Sequence, residues 1–332
     1  MKKTKQILII ICGMLLGISL HAQQVPMYSQ YVMNGFLINP SYAGNDGYTS
    51  LNLTAREQWI GLPSSPSTYA VSFQTRLLKN SYIQRSTSVR KKEVRPTRKS
   101  RVGLGGYIFN DRNGIIRRTG FEAAYAYHIE LGRYGSELSF GLASTVYQFA
   151  IDLDGAIVAD IDDEFLNNYD RVVFIPDFNF GVSYTTEKYY LGFSATQLFR
   201  GSLTLDNTAK NPRTELGHYF FTGGMKIPLS GNDWILEPSA LIKSSDMVLK
   251  AAQMDITTRV YYKEDYWAGI SYRTQDALIM LLGFTYDKFF FAYAFDFALT
   301  DIRKHSYGSH ELSFAVKFGG ESARRYRWLN QY

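Results

Sequence analysis

The 332-residue chain holds one cysteine, Cys12, and it falls in an N-terminal segment with the marks of an export signal. Without that segment no disulfide, thiolate metal site or cysteine nucleophile remains. Ile9, Ile10 and Ile11, which precede Cys12, do not resemble a lipobox, so a lipid anchor there is not expected. Long apolar runs are equally scarce. The one candidate, Ile7 to Leu20, spans 14 residues, fewer than the ~20 that a helix requires to cross a bilayer core. If the mature chain is embedded in a membrane it must then be a closed β-barrel, the other structure that satisfies every backbone group in lipid. Enzymatic signatures are also missing: no Gly-x-Ser-x-Gly elbow, no His-Glu-x-x-His helix, no phosphate loop and no dinucleotide fingerprint.

At the start of the chain, Lys2, Lys3 and Lys5 precede the apolar run, and small Ala22 follows it. That order predicts a signal peptide over 1–22, cleaved after Ala22. The remaining composition favours strands, with 25 Tyr, 22 Phe and 27 Gly, since aromatic residues suit a pleated surface and glycines suit turns. The formal charge of +6 is local. Three of these charges belong to the signal, and the stretch 79–101 contributes +8 from nine basic residues and Glu93, which leaves about −5 elsewhere. The basic pI is therefore a property of one insert and does not indicate nucleic-acid binding.

A two-residue period runs through the chain. Phe289, Phe291, Tyr293, Phe295, Phe297 and Leu299 share one face, opposite Phe290, Ala292, Ala294, Asp296 and Ala298. Large apolar groups on one side, with small groups and a carboxylate on the other, predict a strand between lipid and a lumen. Similar segments number fourteen: 48–57, 67–78, 101–110, 115–131, 136–150, 172–184, 188–198, 217–229, 233–243, 247–262, 265–274, 277–287, 289–299 and 309–318. The expected fold is all-β, a transmembrane antiparallel β-barrel of about 14 strands over 48–318. An N-terminal segment, 23–47, lies at or in the lumen, and a periplasmic tail covers 319–332. A large soluble β-sandwich is the competing architecture. With both termini periplasmic, short connections face the periplasm and long ones the exterior; the basic insert 79–101 is the exception, a long periplasmic connection.

Strand parity points Arg56, Arg76, Glu122, His128, Glu130, Glu237, Asp255, Arg259, Arg273 and Asp296 inward. The mixed signs suggest a compensated, lumen-filling polar network rather than a selectivity ring of one charge. His128 beside Glu122 and Glu130 could instead form a proton-transfer site. The loop 151–171 holds seven carboxylates, a density compatible with calcium, but its spacing is not that of an EF-hand and a solvated acidic surface is the plainer reading. The insert bearing Arg90, Lys91 and Lys92 either grips an acidic partner or is a polar linker. No cofactor and no metal site are expected.

Several stretches resemble the PorP/SprF family of outer-membrane proteins from the type IX secretion and gliding apparatus of Bacteroidetes. YSQYVMNGFLINPSYAG from Tyr28 carries the likeness first, followed by REQWIGLPSSPSTYAVSFQT from Arg56, GLGGYIFNDRNG from Gly103, PDFNFGVSY from Pro176, WAGISYRTQDALIMLLGF from Trp267 and GSHELSFAVKF from Gly308. The resemblance implies a non-enzymatic role in exporting or attaching a large secreted adhesin, whose C-terminal domain the machinery handles. Partners would be that adhesin, other type IX components and the lipid bilayer. Partner-binding candidates are Tyr28, Tyr31, Asn34, Asn39, Pro40 and Tyr42 in the N-terminal segment, with Arg90, Lys91 and Lys92 in the insert. A channel for a small hydrophobic or polar solute is the alternative function.

Overall fold

The computed structural model describes residues 28–77, 101–131, 136–151, 172–199, 217–229, 233–245, 252–263 and 265–318. The expected signal peptide, the insert residues 78–100, most of the acidic loop and the tail 319–332 lie outside these residues. No described helix is long and apolar enough to cross a membrane.

Fifteen labelled strands build one sheet: β1 (Thr49–Glu57), β2 (Ser67–Arg76), β3 (Val102–Asn113), β4 (Ile116–Leu131), β5 (Ser136–Ile151), β6 (Val172–Thr185), β7 (Tyr189–Thr196), β8 (His218–Met225), β9 (Ile227–Pro228), β10 (Trp234–Ser244), β11 (Gln253–Tyr262), β12 (Tyr266–Arg273), β13 (Ala277–Tyr286), β14 (Phe289–Ala298) and β15 (Ser309–Phe318). Strands β8 and β9 are one crossing interrupted at Lys226, since both pair with β10, so the crossings number fourteen. Every pairing is antiparallel. The ring closes where β1 meets β15, from Thr49↔Phe318 to Glu57↔His310, and it is continuous through β10 and β11. Closure removes the sheet edges that lipid could not satisfy.

Burial alternates as the period requires. Along β2 it reads Thr68 buried, Tyr69 exposed, Ala70 buried, Val71 exposed, Ser72 buried, Phe73 exposed. Apolar groups occupy the outward set because a charge there costs roughly 2–4 kcal/mol at mid-membrane. Outward charges gather at the rims, as with Glu57 and the directly paired Arg112 and Arg117.

Several strand limits differ from the sequence reading. β3 continues to Asn113 and meets β4 through a two-residue turn in which Gly114 has φ +62; the polar Asp111-Arg112-Asn113 run had concealed this. β7 stops at Thr196 because Gln197 turns into the left-handed region at φ +58. β11 begins at Gln253, and of the expected start at 247 nothing is described before 252. The rim where β1 starts carries short turns at 186–188, 263–265 and 287–288. The opposite rim carries the connections 58–66 and 299–308, but also the tight ones at 114–115 and 274–276, so the length asymmetry is incomplete.

The segment Tyr28–Tyr48 lies inside the ring. Two 3-10 turns, Gly35–Leu37 and Pro40–Tyr42, compact it, and the Asn39 side chain accepts from the Ser41 amide at 2.9 Å to start the second. It is buried almost throughout, including polar Asn39, Ser41 and Asp46.

Candidate functional site

The lumen is occupied by the protein's own chain. From the short-turn rim, where β1 begins, the segment can be followed backwards toward the loop rim through its contacts. Asp46 is paired with Lys317 at 3.1 Å. The Gly44 amide donates to Gln74 Oε1 at 3.2 Å. Tyr42 OH lies 3.1 Å from Thr222 Oγ1, and Ser41 Oγ donates to Ser183 Oγ at 2.9 Å. Asn39 Nδ2 donates to the carbonyls of Val182 and Phe193, and Asn34 Nδ2 to Ser72 Oγ at 3.0 Å. At the loop end, the amides of Ser29 and Gln30 donate to the two carboxylate oxygens of Glu311, at 2.7 and 3.0 Å.

Around Ser29 the charges form one buried network. Arg56 contacts Asp296 at 2.7 Å and Glu311 at 3.1 Å. Arg273 contacts Asp255 at 3.0 Å and Asp296 at 3.2 Å. Ser29 Oγ accepts from Arg56 Nη1 at 2.6 Å and donates to Asp296 at 2.8 Å, so the segment is tied to both signs of charge. Buried ions are tolerable only when paired and hydrogen-bonded in this way. A second pair, Arg259 and Glu237 at 2.7 Å, is covered by Tyr261 and Trp267 beneath the guanidinium.

Across the lumen the contacts are steric. On the wall from β3 to β7, inward glycines meet the segment directly: a Cβ on Gly103 would collide with the Ala43 carbonyl, one on Gly141 with the Pro40–Ser41 backbone, and one on Gly181 with the Asn39 amide group. Phe36 and Tyr42 pack there with Ala43, Ala124, Ala126 and Ala143. Glycine is needed where two backbones approach this closely. A void of about 80 Å³ remains between Tyr28, Ile38 and this wall, room for a few waters at the ~10–15 Å³ each requires.

Of the ten lumen residues read from parity, nine are buried and face inward. Glu130 is the correction: it is exposed at the end of β4, where the strand leaves the lumen. The grouping of His128 with Glu122 and Glu130 is also corrected. His128 Nε2 donates to the Ala43 carbonyl at 3.0 Å, while Nδ1 lies 2.8 Å from Ser139 Oγ and 3.1 Å from Glu137. Glu137 in turn accepts two bonds from Arg76, at 2.6 and 3.1 Å. Glu122 belongs elsewhere, accepting from Tyr107, Thr145 and Asn179. Serine, histidine and glutamate thus meet at Ser139, but both partners share Nδ1 and the other ring nitrogen is spent on the plug, so the relay of a catalytic triad is not formed.

Tyr31, Asn34, Asn39, Pro40 and Tyr42, read as partner-binding candidates, are buried, and Tyr28 lines the small void. In this structure they face the barrel's own wall, with Tyr31, Asn34, Asn39 and Tyr42 each bonded to a strand. Arg90, Lys91 and Lys92 lie outside the described residues. Sequence reasoning missed Ser29, Asn179, Gly103, Gly141 and Gly181. Strand parity does not reveal that Glu311 anchors the Ser29 and Gln30 amides. Among the described residues no cluster of side chains has the makings of a metal site.

The sequence profile of a family described as "Type IX secretion system membrane protein PorP/SprF" matches residues 20–316. No curated protein matches the sequence. Solved structures with a similar outline include the Ralstonia pickettii toluene transporter TbuX, at 10% identity and TM-score 0.45, over 92% of this chain and 96% of that one. Another is the Acinetobacter baumannii outer membrane protein Omp33, at 5% identity and TM-score 0.43, over 82% of this chain and 100% of that one. Likenesses at these scores bear on neither function nor mechanism.

Proposed function

The chain belongs to the PorP/SprF family of type IX secretion system membrane proteins, and on that premise we propose that it is a non-conducting outer-membrane scaffold that holds a large exported protein at the cell surface. The observation that carries this reading is the filled lumen. Residues 28–48 are bonded to strands on every side of the ring, and a passage for solute would break buried ion pairs on one wall and backbone contacts on the other. Short turns face the periplasm, following the habit of bacterial barrels.

The loop rim suits the holding role. Loops 58–66 and 299–308 interlock through the Ile60 amide to the Gly308 carbonyl at 2.9 Å and the Tyr307 amide to the Ile60 carbonyl at 2.7 Å. This ledge presents Tyr307, 80% exposed, beside Ile60; aromatic side chains on a firm backbone are favoured anchors for a protein partner. The exported partner, an adhesin recognised through its C-terminal domain, and the other secretion components met in the periplasm complete the reading, with no reaction catalysed.

Affinity purification of the tagged protein from its native outer membrane, paired with surface labelling in a deletion strain, tests this. The expected result is co-purification of a large exported protein and its loss from the surface on deletion. Intact surface display with impaired uptake of a small solute would support a channel instead.

A further inference from the structure

The segment that fills the barrel has a direction. Residues 28–48 begin among the strand ends of the loop rim and finish among those of the short-turn rim. At the start, the amides of Ser29 and Gln30 donate to Glu311, the third residue of β15, and Ser29 Oγ accepts from Arg56, the last residue but one of β1. Tyr28 lines a void together with Arg118, the third residue of β4, Thr196, the last of β7, and Phe220, the third of β8. All these positions lie at the loop rim, on both sides of the ring. At the finish, Asp46 pairs with Lys317, the last residue but one of β15, and Thr49 opens β1. The segment thus traverses the whole sheet once.

That direction fixes where the chain ahead of Tyr28 can go. The lumen offers no return path. Its steric wall is filled to backbone contact at Gly103 and Gly141. The voids beside the segment measure about 80, 20 and 10 Å³, room for a few waters at the ~10–15 Å³ each requires, not for a second run of chain. A returning run would also bury amides and carbonyls that need partners, and inward groups such as Ser72, Gln74, Ser183 and Glu311 are already bonded to the segment. The way out past the loop rim is short. With the cleavage expected after Ala22, residues 23–27 precede Tyr28. Extended at ~3.3–3.6 Å per residue, they reach roughly 17 Å. From Glu311 to the end of β15 is only about 7 Å at ~3.4 Å per residue.

We propose that the chain crosses the outer membrane fifteen times, fourteen in the wall and once through its own lumen, and that the end ahead of Tyr28 is displayed on the exterior face as a contact site fastened to the plug. β15 finishes at the opposite rim, so the two ends of the chain stand on opposite sides of the membrane, in place of the shared side that an even number of crossings implies. Anything that grips the outer end pulls first on Ser29 and Gln30. Through them it pulls on Glu311 and Arg56, which are directly paired across the closing seam of β1 and β15. That the loop rim is the exterior rests on the orientation proposed above; the fifteenth crossing does not.

The sole cysteine, Cys12, falls in the expected signal, so one engineered thiol reports one position. Val25→Cys reports the end, Lys304→Cys the exposed loop rim and Lys188→Cys the exposed short-turn rim. Each full-length barrel is treated in whole cells with a polyethylene-glycol maleimide too large to pass the outer membrane, then again after that membrane is opened, and modification is read as a gel shift. Val25→Cys is expected to react in intact cells as completely as Lys304→Cys, and Lys188→Cys only after opening. Reaction of Val25→Cys only together with Lys188→Cys would overturn the proposal, as would a Val25→Cys thiol that reacts only once the barrel is denatured. Should Lys304→Cys and Lys188→Cys exchange behaviour, the orientation fails and the exterior display with it, whereas Val25→Cys following Lys304→Cys still upholds the crossing. Heat-modifiable electrophoretic mobility confirms that each variant is folded.

Discussion

The wall from β3 to β7 and the wall from β11 through β15 to β1 hold the same segment by different means. The first offers glycines and alanines, and the plug lies against it backbone to backbone. The second offers arginines and carboxylates, and the plug enters their network through Ser29 and Gln30. Steric seating fixes position, because a side chain added at Gly103 or Gly141 would have to displace main chain. Ionic anchoring fixes connectivity, because removing one member, as Arg56 from Glu311, leaves a buried charge short of its partner. A barrel intended to empty its lumen would have little use for either device.

The largest effect is expected from adding bulk to the steric wall. Gly141→Val sets two methyl groups against the Pro40–Ser41 backbone. Overpacking against side chains costs typically ~1–3 kcal/mol, and with main chain as the obstacle the loss should exceed that, seen as disappearance of the compact, heat-modifiable form on a gel. Next comes the ionic wall. Arg56→Ala strands Glu311 and leaves Asp296 with Arg273 alone, and should destabilise the barrel by about 3–5 kcal/mol in urea titration. Neutralising the two acids in the same chain, Asp296→Asn with Glu311→Gln, should recover much of the loss; no recovery would mean that Arg56 acts by packing alone. Arg76→Ala should cost less than Arg56→Ala, since His128 stays within 3.1 Å of Glu137. The smallest change is Ser41→Ala, which removes one bond to Ser183 and one within the turn. A loss of about 0.5–1.5 kcal/mol per bond is expected; a much larger one would show that the steric wall also depends on its few polar contacts.

Much of this architecture is legible in the chain. Lipid forbids outward charge, so parity along β13, β14 and β15 reveals which face each residue takes, and the inward positions of Arg56, Arg259, Arg273 and Asp296 follow. Parity alone does not reveal neighbours. His128 and Glu122 share a face of β4 but not a contact, because pairing of β4 with β5 sets Ser139 opposite His128 and brings Glu137 to it. Glu130 has the parity of the network but is exposed one residue from the end of β4. The seats at Gly103, Gly141 and Gly181 were hidden for another reason: a strand glycine reads as weakness or a turn until the chain it accommodates is known. The N-terminal stretch looked polar enough to require partners, which placed it at or in the lumen, although nothing in its spacing told that it reaches the loop rim.

Planar-bilayer recording of the purified wild-type barrel tests the central claim most directly. A filled lumen predicts insertion without steady current at moderate voltage. A stable, ohmic open state would contradict it.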